Sequence, residues 1–158
     1  MTLREVGCGN TVTSMLLTNY TDQKLDPLET RDTYFTHSNY THSGFYFSAA
    51  MVPLTGAGFE FKDISGKVGT SPLDELATAT YEKPIVLGFG YDGAPHGHYV
   101  LAVGKDASGT PLVYDPYYYD DSGKKDPIPL TSENFPGMRL DNTNGIDVIL
   151  VTPPGATP

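Results

Sequence analysis

GHYVLAVGKDASGTPLVYDP, residues 97–116, is the stretch from which the architecture can be read. Two β-rich runs within it, HYVLAVG (98–104) and PLVYD (111–115), flank a segment, Asp106–Gly109, with the Asp, Ser and Gly chemistry of a tight hairpin. The runs are therefore expected to pair antiparallel with their register set by the turn. That pairing brings the strand ends carrying His98 and Asp115 side by side. PIVLGFGY (84–91) and IDVILV (146–151) have the same β-branched, apolar character and are bounded by Gly, Pro and Asp. Together the four runs predict an antiparallel sheet.

Upstream the pattern turns helical. In CGNTVTSMLLTNY (8–20), Val12, Met15 and Leu16 fall at i, i+3 and i+4, which predicts a helix with one buried face and Cys8 at its N-terminus. FYFSAAMVPL (45–54) reads as a short helix ended by Pro53, and GFEFKDI (58–64) alternates like a strand. Ser71, Pro72, Asp74 and Glu75 make a helix start, with Leu73, Leu76 and Ala77 as its apolar stripe running to about Tyr81. Thr21 to Ser43 is polar, lacks clear periodicity and reads as a long surface excursion. Helices first and sheet second is an α+β order.

A chain of 158 residues is long enough to bury a core without disulfides or a structural metal. One domain is expected over residues 1–152, with 153–158, within the terminal TPPGATP, as a linker or tail. No apolar run approaches the ~20 residues that a membrane-spanning helix needs. The net charge of −9 repels phosphate backbones, which excludes a nucleic-acid partner. MTLREVGCGN has no secretory signal pattern, so the compartment is not readable from it. The richness in Tyr, Thr, Asn and Gly and the scarcity of Lys are the look of secreted and phage-related bacterial proteins, which points to action outside the producing cell.

The chain has one cysteine, so Cys8 is either a small core hydrophobe or a reactive thiol. A nucleophilic thiol needs a lowered pKa and room for a carbonyl carbon. A helix start supplies the first and the flanking Gly7 and Gly9 the second, while the Cys8 N–H can help hold an oxyanion. His98, opening an apolar strand after a glycine-rich loop, can take the thiol proton, although a lone histidine there is also a common loop cap. Asp115 can hold the second imidazole nitrogen and fix the tautomer, although Asp-Pro is also a frequent strand-ending turn. The three residues together carry more weight than each alone.

Three segments, GCGNTVTSMLL, LDELATATYEKPIVLGF and GHYVLAVGKDASGTPLVYDP, resemble the bacteriocin-leader-peptidase-like (double-glycine peptidase-like) branch of the papain superfamily. The likeness covers roughly residues 6–116. A cysteine motif opening a helix, a helix leading into a Pro-Ile-Val strand, a Gly-His opening the next strand and an Asp-Pro ending the one after occur in that family's order. The resemblance implies an α+β, papain-like fold in which the helix bearing Cys8 packs on a sheet bearing His98 and Asp115. It implies Cys8 as nucleophile, His98 as base, Asp115 as orienting acid, and amide hydrolysis through a thioester without a cofactor. Gly7, Gly9, Asn10, Gly97 and Tyr117 are the expected oxyanion and substrate-binding positions. One departure stands out: the family's upstream glutamine is absent, with Thr2, Leu3 and Arg4 in that region. Either the sequence begins downstream of that glutamine, another donor such as Asn10 substitutes, or the hole is incomplete; loss of one oxyanion donor costs ~3 kcal/mol of transition-state stabilisation, which weakens catalysis without abolishing it.

The same triad serves leader peptidases, peptidoglycan amidases and endopeptidases, deamidating toxins and transglutaminases. An acidic domain standing alone argues against leader processing, so the expected substrate is a peptide or protein, with bacterial cell-wall peptides favoured. The alternatives are a deamidase or transglutaminase toxin and a papain-like binding module without catalysis. No metal is expected. His37, His42, His96 and His98 lack an HExxH pattern, and DDSGKKD (121–126 with Asp120) and DNTNGID (141–147) lack the EF-hand spacing.

Overall fold

The structure is a computed structural model that describes residues 3–34, 40–41, 44–45, 48–66, 72–92, 97–116, 126–140 and 146–155; the side chains of residues 3–8, 31, 34, 40–41, 44–45 and 48–49 are outside that description. The elements run α1 (Leu3–Tyr20), α2 (Pro27–Tyr34), β1 (Tyr40–Thr41), β2 (Gly44–Phe45), α3 (Ser48–Gly56) and β3 (Glu60–Asp63). Then follow α4 (Leu73–Leu76), β4 (Ile85–Tyr91), β5 (His98–Lys105), β6 (Pro111–Tyr114), β7 (Ile128–Pro129), β8 (Met138–Arg139) and β9 (Asp147–Thr152). The main sheet has the order β3-β9-β4-β5-β6-β7, every pairing antiparallel, with β8 beside the end of β4. The α+β expectation holds.

Side-chain alternation divides the sheet into two faces. On one, Val86, Tyr99, Leu101, Ile149 and Val151 pack with Val12, Met15, Leu16 and Leu17 of α1 and with Ala50 and Leu54 of α3. On the other, Ile85, Leu87, Phe89, Val100, Ala102, Val113 and Val148 pack with Leu76, Ala79, Leu130 and Phe135. A fully buried aliphatic or aromatic side chain is worth ~1.5–3 kcal/mol over an exposed one, so both clusters contribute to holding the sheet.

The strands follow the predicted runs closely, and the hairpin is as its sequence reads. Asp106 N–H donates to the Thr110 carbonyl at 2.9 Å, the Asp106 carboxylate accepts from the N–H groups of Ser108 and Thr110, and Gly109 takes φ +85°. Four helical expectations need correction. The first helix begins at Leu3 rather than at Cys8. The segment predicted as a surface excursion contains α2, because Asp26, Pro27 and Glu29 form a capping box. Glu29 N–H donates to Asp26 Oδ1 at 2.8 Å and Asp26 N–H to Glu29 Oε2 at 2.9 Å.

Pro53 does not end α3 but sits inside it, with the helix continuing to Gly56. The stop comes from a Schellman turn: Phe59 N–H donates to the Leu54 carbonyl and Gly58 N–H to that of Thr55, with Gly58 at φ +98°. The helix expected to run to Tyr81 stops at Leu76. Beyond it Thr78 Oγ1 donates back to the Glu75 carbonyl and Thr80 Oγ1 accepts from the Lys83 N–H at 3.0 Å, competition that threonine side chains offer the backbone. At the other end of the chain Pro153 is buried and Pro154 lies against Gly58.

Candidate active site

The first residue of β5 carries the site's most constrained side chain. His98 Nε2 lies 2.7 Å from Asp115 Oδ1, with His98 2% and Asp115 8% exposed. An acceptor-only carboxylate at that distance takes the Nε2 proton in a charge-assisted hydrogen bond, and burial in low dielectric strengthens it.

The two residues do not meet as simple hairpin partners. Near the turn Lys105 pairs with Pro111 and Gly104 with Leu112, but Ala102 pairs with Val113 and Leu101 with Tyr114, so Val103 is an extra residue in β5. Continued by one residue, the register beyond this bulge sets Asp115 opposite Val100. There it faces the same side as His98 and stands one diagonal step away. Were Val103 paired regularly with Val113 instead, Asp115 would stand opposite Leu101 and face the α1 side. With Val103 in the strand, the bulge is what lets the carboxylate reach the imidazole.

Three aromatic rings enclose His98. Phe89, its cross-strand partner, stands edge-on at 5.8 Å, while Tyr91 and Phe135 lie at 6.3 Å. Phe89 and Tyr91 alternate on β4, a signal the strand pattern carries. Phe135 comes from an irregular segment with no periodicity to announce it, held by the Phe135 N–H donating to the Thr131 carbonyl and by Met138 N–H donating to the Phe135 carbonyl. These rings keep water from the His98–Asp115 pair.

Gly97 has a packing reason to be glycine. A Cβ there would stand 2.6 Å from the Phe89 carbonyl oxygen, so the chain enters β5 pressed against β4. On the other face Tyr99 lies over Gly88, where an added Cβ would meet the ring at 2.5 Å, and Tyr99 Oη donates to Asp147 Oδ2 at 2.8 Å. Burial holds the Asp147 carboxyl above its ordinary value of 3.8; the Tyr99 hydrogen bond opposes that shift and the charge of Asp63 adds to it.

Cys8, Gly7 and Gly9 lie in the second turn of α1, with the Cys8 side chain outside the described residues. The first-turn N–H groups that would stabilise a thiolate therefore belong to residues nearer Leu3, a correction to the helix-start placement of Cys8. Asn10 is wholly buried alongside Thr13 and Ser14; Thr13 Oγ1 donates to the Gly9 carbonyl at 2.8 Å and Ser14 Oγ to the Leu25 carbonyl. Tyr117, like His37, His42 and His96, lies outside the described residues. So do the two acidic loops, apart from Asp126, Ile146 and Asp147.

A cavity of about 400 Å³ lies at the opposite end of β4 from His98, bordered by Pro84 and Ile85. Among the described residues no helix is long and apolar enough to cross a membrane.

Comparison with known proteins adds three findings. The model of the Peptidase_C39 like family matches residues 2–139. A solved structure, the peptidase domain of Streptococcus mutans ComA, superposes with a TM-score of 0.49 at 18% identity, covering 94% of this chain and 93% of that one. Comparison with curated protein sequences gives no match.

Proposed function

The chain belongs to the Peptidase_C39 like family, papain-like cysteine peptidases, and on that premise we propose that Cys8, His98 and Asp115 form its catalytic triad. The observation that carries this reading is the buried hydrogen bond from His98 Nε2 to Asp115 Oδ1. With the proton of Nε2 committed to the carboxylate, the neutral ring presents Nδ1 as its basic nitrogen.

In this reading Nδ1 takes the Cys8 thiol proton as the sulfur attacks the scissile carbonyl carbon. The imidazolium, stabilised by Asp115, then returns the proton to the leaving amine as the C–N bond breaks. Water, deprotonated by the same nitrogen, displaces the thiol from the thioester and releases the acid. Because α1 starts at Leu3, activation of the thiol rests on His98 more than on the helix start.

The reading also sets a geometric demand. α1 packs on the sheet face of Tyr99 and Leu101, whereas His98 belongs to the other face. The thiol must then meet the imidazole around the first residue of β5 rather than across the sheet. Gly7 and Gly9 leave room beside the sulfur, and Gly97 borders the approach from the strand side. Asn10, wholly buried two residues after Cys8, is the side-chain amide offered as oxyanion donor in place of the absent glutamine.

The substrate is a peptide or protein. We extend this to bacterial cell-wall peptides or a protein target met outside the producing cell, by analogy with what the same triad does elsewhere.

The test is the pH dependence of iodoacetamide labelling at Cys8 in the parent and in His98→Ala. Rapid labelling below pH 7 in the parent, reduced by ~10²-fold in the variant, is the expected result. An ordinary thiol profile in both would remove the Cys–His pair and leave a papain-like binding domain.

A further inference from the structure

The start of β5 is fixed from both faces of the sheet, and only one of the two fastenings belongs to the proposed triad. Tyr99, next in the chain to His98, reaches in the opposite direction. It crosses β4 entirely, and its hydroxyl donates to Asp147 Oδ2 on β9 at 2.8 Å. The three residues lie in one cross-strand row, since Tyr99 pairs with Gly88 and Gly88 with Asp147.

Gly88 makes the row possible. A Cβ at that position would stand 2.5 Å from Tyr99 Cε1 and 3.2 Å from Asp147 Cβ, so the ring lies flat against bare backbone. Tyr99 is 8% exposed and packed with the α1 cluster, which leaves its ring little freedom. One residue earlier the chain is pressed on the Phe89 carbonyl at Gly97. His98 therefore sits between two closely packed positions.

From this we infer that Tyr99 and Asp147 are positioning residues for His98: the strand-crossing hydrogen bond holds the first residues of β5 so that the imidazole keeps its alignment with Asp115. The inference rests on His98 being the general base. Neither Tyr99 nor Asp147 touches the reacting atoms; they act through the backbone shared by Tyr99 and His98. The bond spans three strands and begins at the residue next to His98, and that placement gives it a role beyond satisfying a buried hydroxyl.

The experiment compares the full chain with Tyr99→Phe, Asp147→Leu and the double variant, using two readouts. The first is the ¹H–¹⁵N imidazole spectrum, in which His98 is assigned by the signal lost in His98→Ala. The second is the rate of iodoacetamide labelling at Cys8 against pH. Both substitutions nearly conserve shape, and the thermal midpoint reports whether each variant folds.

Each single variant is expected to shift the His98 Nε2–H resonance and hasten its exchange with water. Labelling of Cys8 near neutral pH should fall by roughly tenfold, with the double variant no worse than either single one, because both remove the same bond. A lowered thermal midpoint with the His98 resonance unmoved would overturn the inference and leave a merely structural contact. Failure of the general-base reading is separable: it appears as an ordinary thiol profile in the parent, indifferent to His98→Ala, while the imidazole spectrum still decides whether Tyr99 and Asp147 hold the ring.

Discussion

Asp115 and Asp147 are a matched pair with opposite surroundings. Each takes a hydrogen bond from one of the first two residues of β5, Asp115 from His98 and Asp147 from Tyr99, and they do so on opposite faces of the same sheet. Asp115 is nearly closed off and meets an imidazole ringed by Phe89, Tyr91 and Phe135. Asp147 is more open and meets a phenol, and burial together with Asp63 holds its carboxyl above the ordinary value. Similar partners and distances thus serve different ends. A carboxylate facing a basic ring in a dry enclosure orients a proton, while one facing a hydroxyl at the sheet margin fastens a strand.

The sharpest way to break the contrast is to open the dry face. Phe135→Ala removes a ring that both fills the second core and covers His98, so unfolding in urea should show a loss of ~3–5 kcal/mol and the imidazole should become accessible to solvent. A loss under about 1 kcal/mol would mean that this face is loosely packed and that the two acids sit in similar environments after all.

The opposite face is probed by Gly88→Ala, whose methyl would force the Tyr99 ring off the strand. The expected loss is ~1–3 kcal/mol, again by urea unfolding, with the Tyr99–Asp147 bond broken and the core of the His98 face unaffected. A neutral substitution would show that the ring has room to move.

The smallest effect is in pH dependence. The folded state raises the Asp147 pKa above its ordinary 3.8, so it binds that proton more tightly than the unfolded chain. The stability this group contributes is fully present below 3.8 and is lost as pH rises through the folded value. Relative to the parent, Asp147→Asn should therefore gain thermal stability as pH rises through that window and hold a constant difference above it. Thermal midpoints that run parallel across the window would contradict the raised value and remove this difference between the two acids.

How much of this was legible depended on which force fixed each element. The four long strands are near-continuous β-branched and apolar runs, and Asp106–Gly109 has unambiguous turn chemistry, so the sheet and the His98–Asp115 neighbourhood could be read directly. The helices were harder. Asp26-Pro27 looks like a turn until Glu29 is recognised as the other half of a capping box. Gly7 and Gly9 each cost roughly 0.5–1 kcal/mol in a helix interior, so they suggest a helix end where α1 in fact continues. At Thr78 and Thr80 side-chain bonds to the backbone overrode an apolar stripe that favoured helix. Phe135 escaped notice because an irregular segment places it, and neither composition nor period records tertiary enclosure.

The extra residue in β5 bears on how such a chain can change over time. His98 and Asp115 are 17 positions apart, and whether they share a face depends on parity within the strand pair. Loss of the codon for Val103 would remove the bulge and leave Ala102 opposite Val113, so that Asp115 still stands opposite Val100 on the imidazole's side. Drawing Val103 into regular pairing with Val113 instead, with no residue lost, would turn the carboxylate to the far side. The pair is thus recorded in where the irregularity falls as well as in which residues are present. Descendants of this sequence are free to shed Val103 far more readily than to pair it.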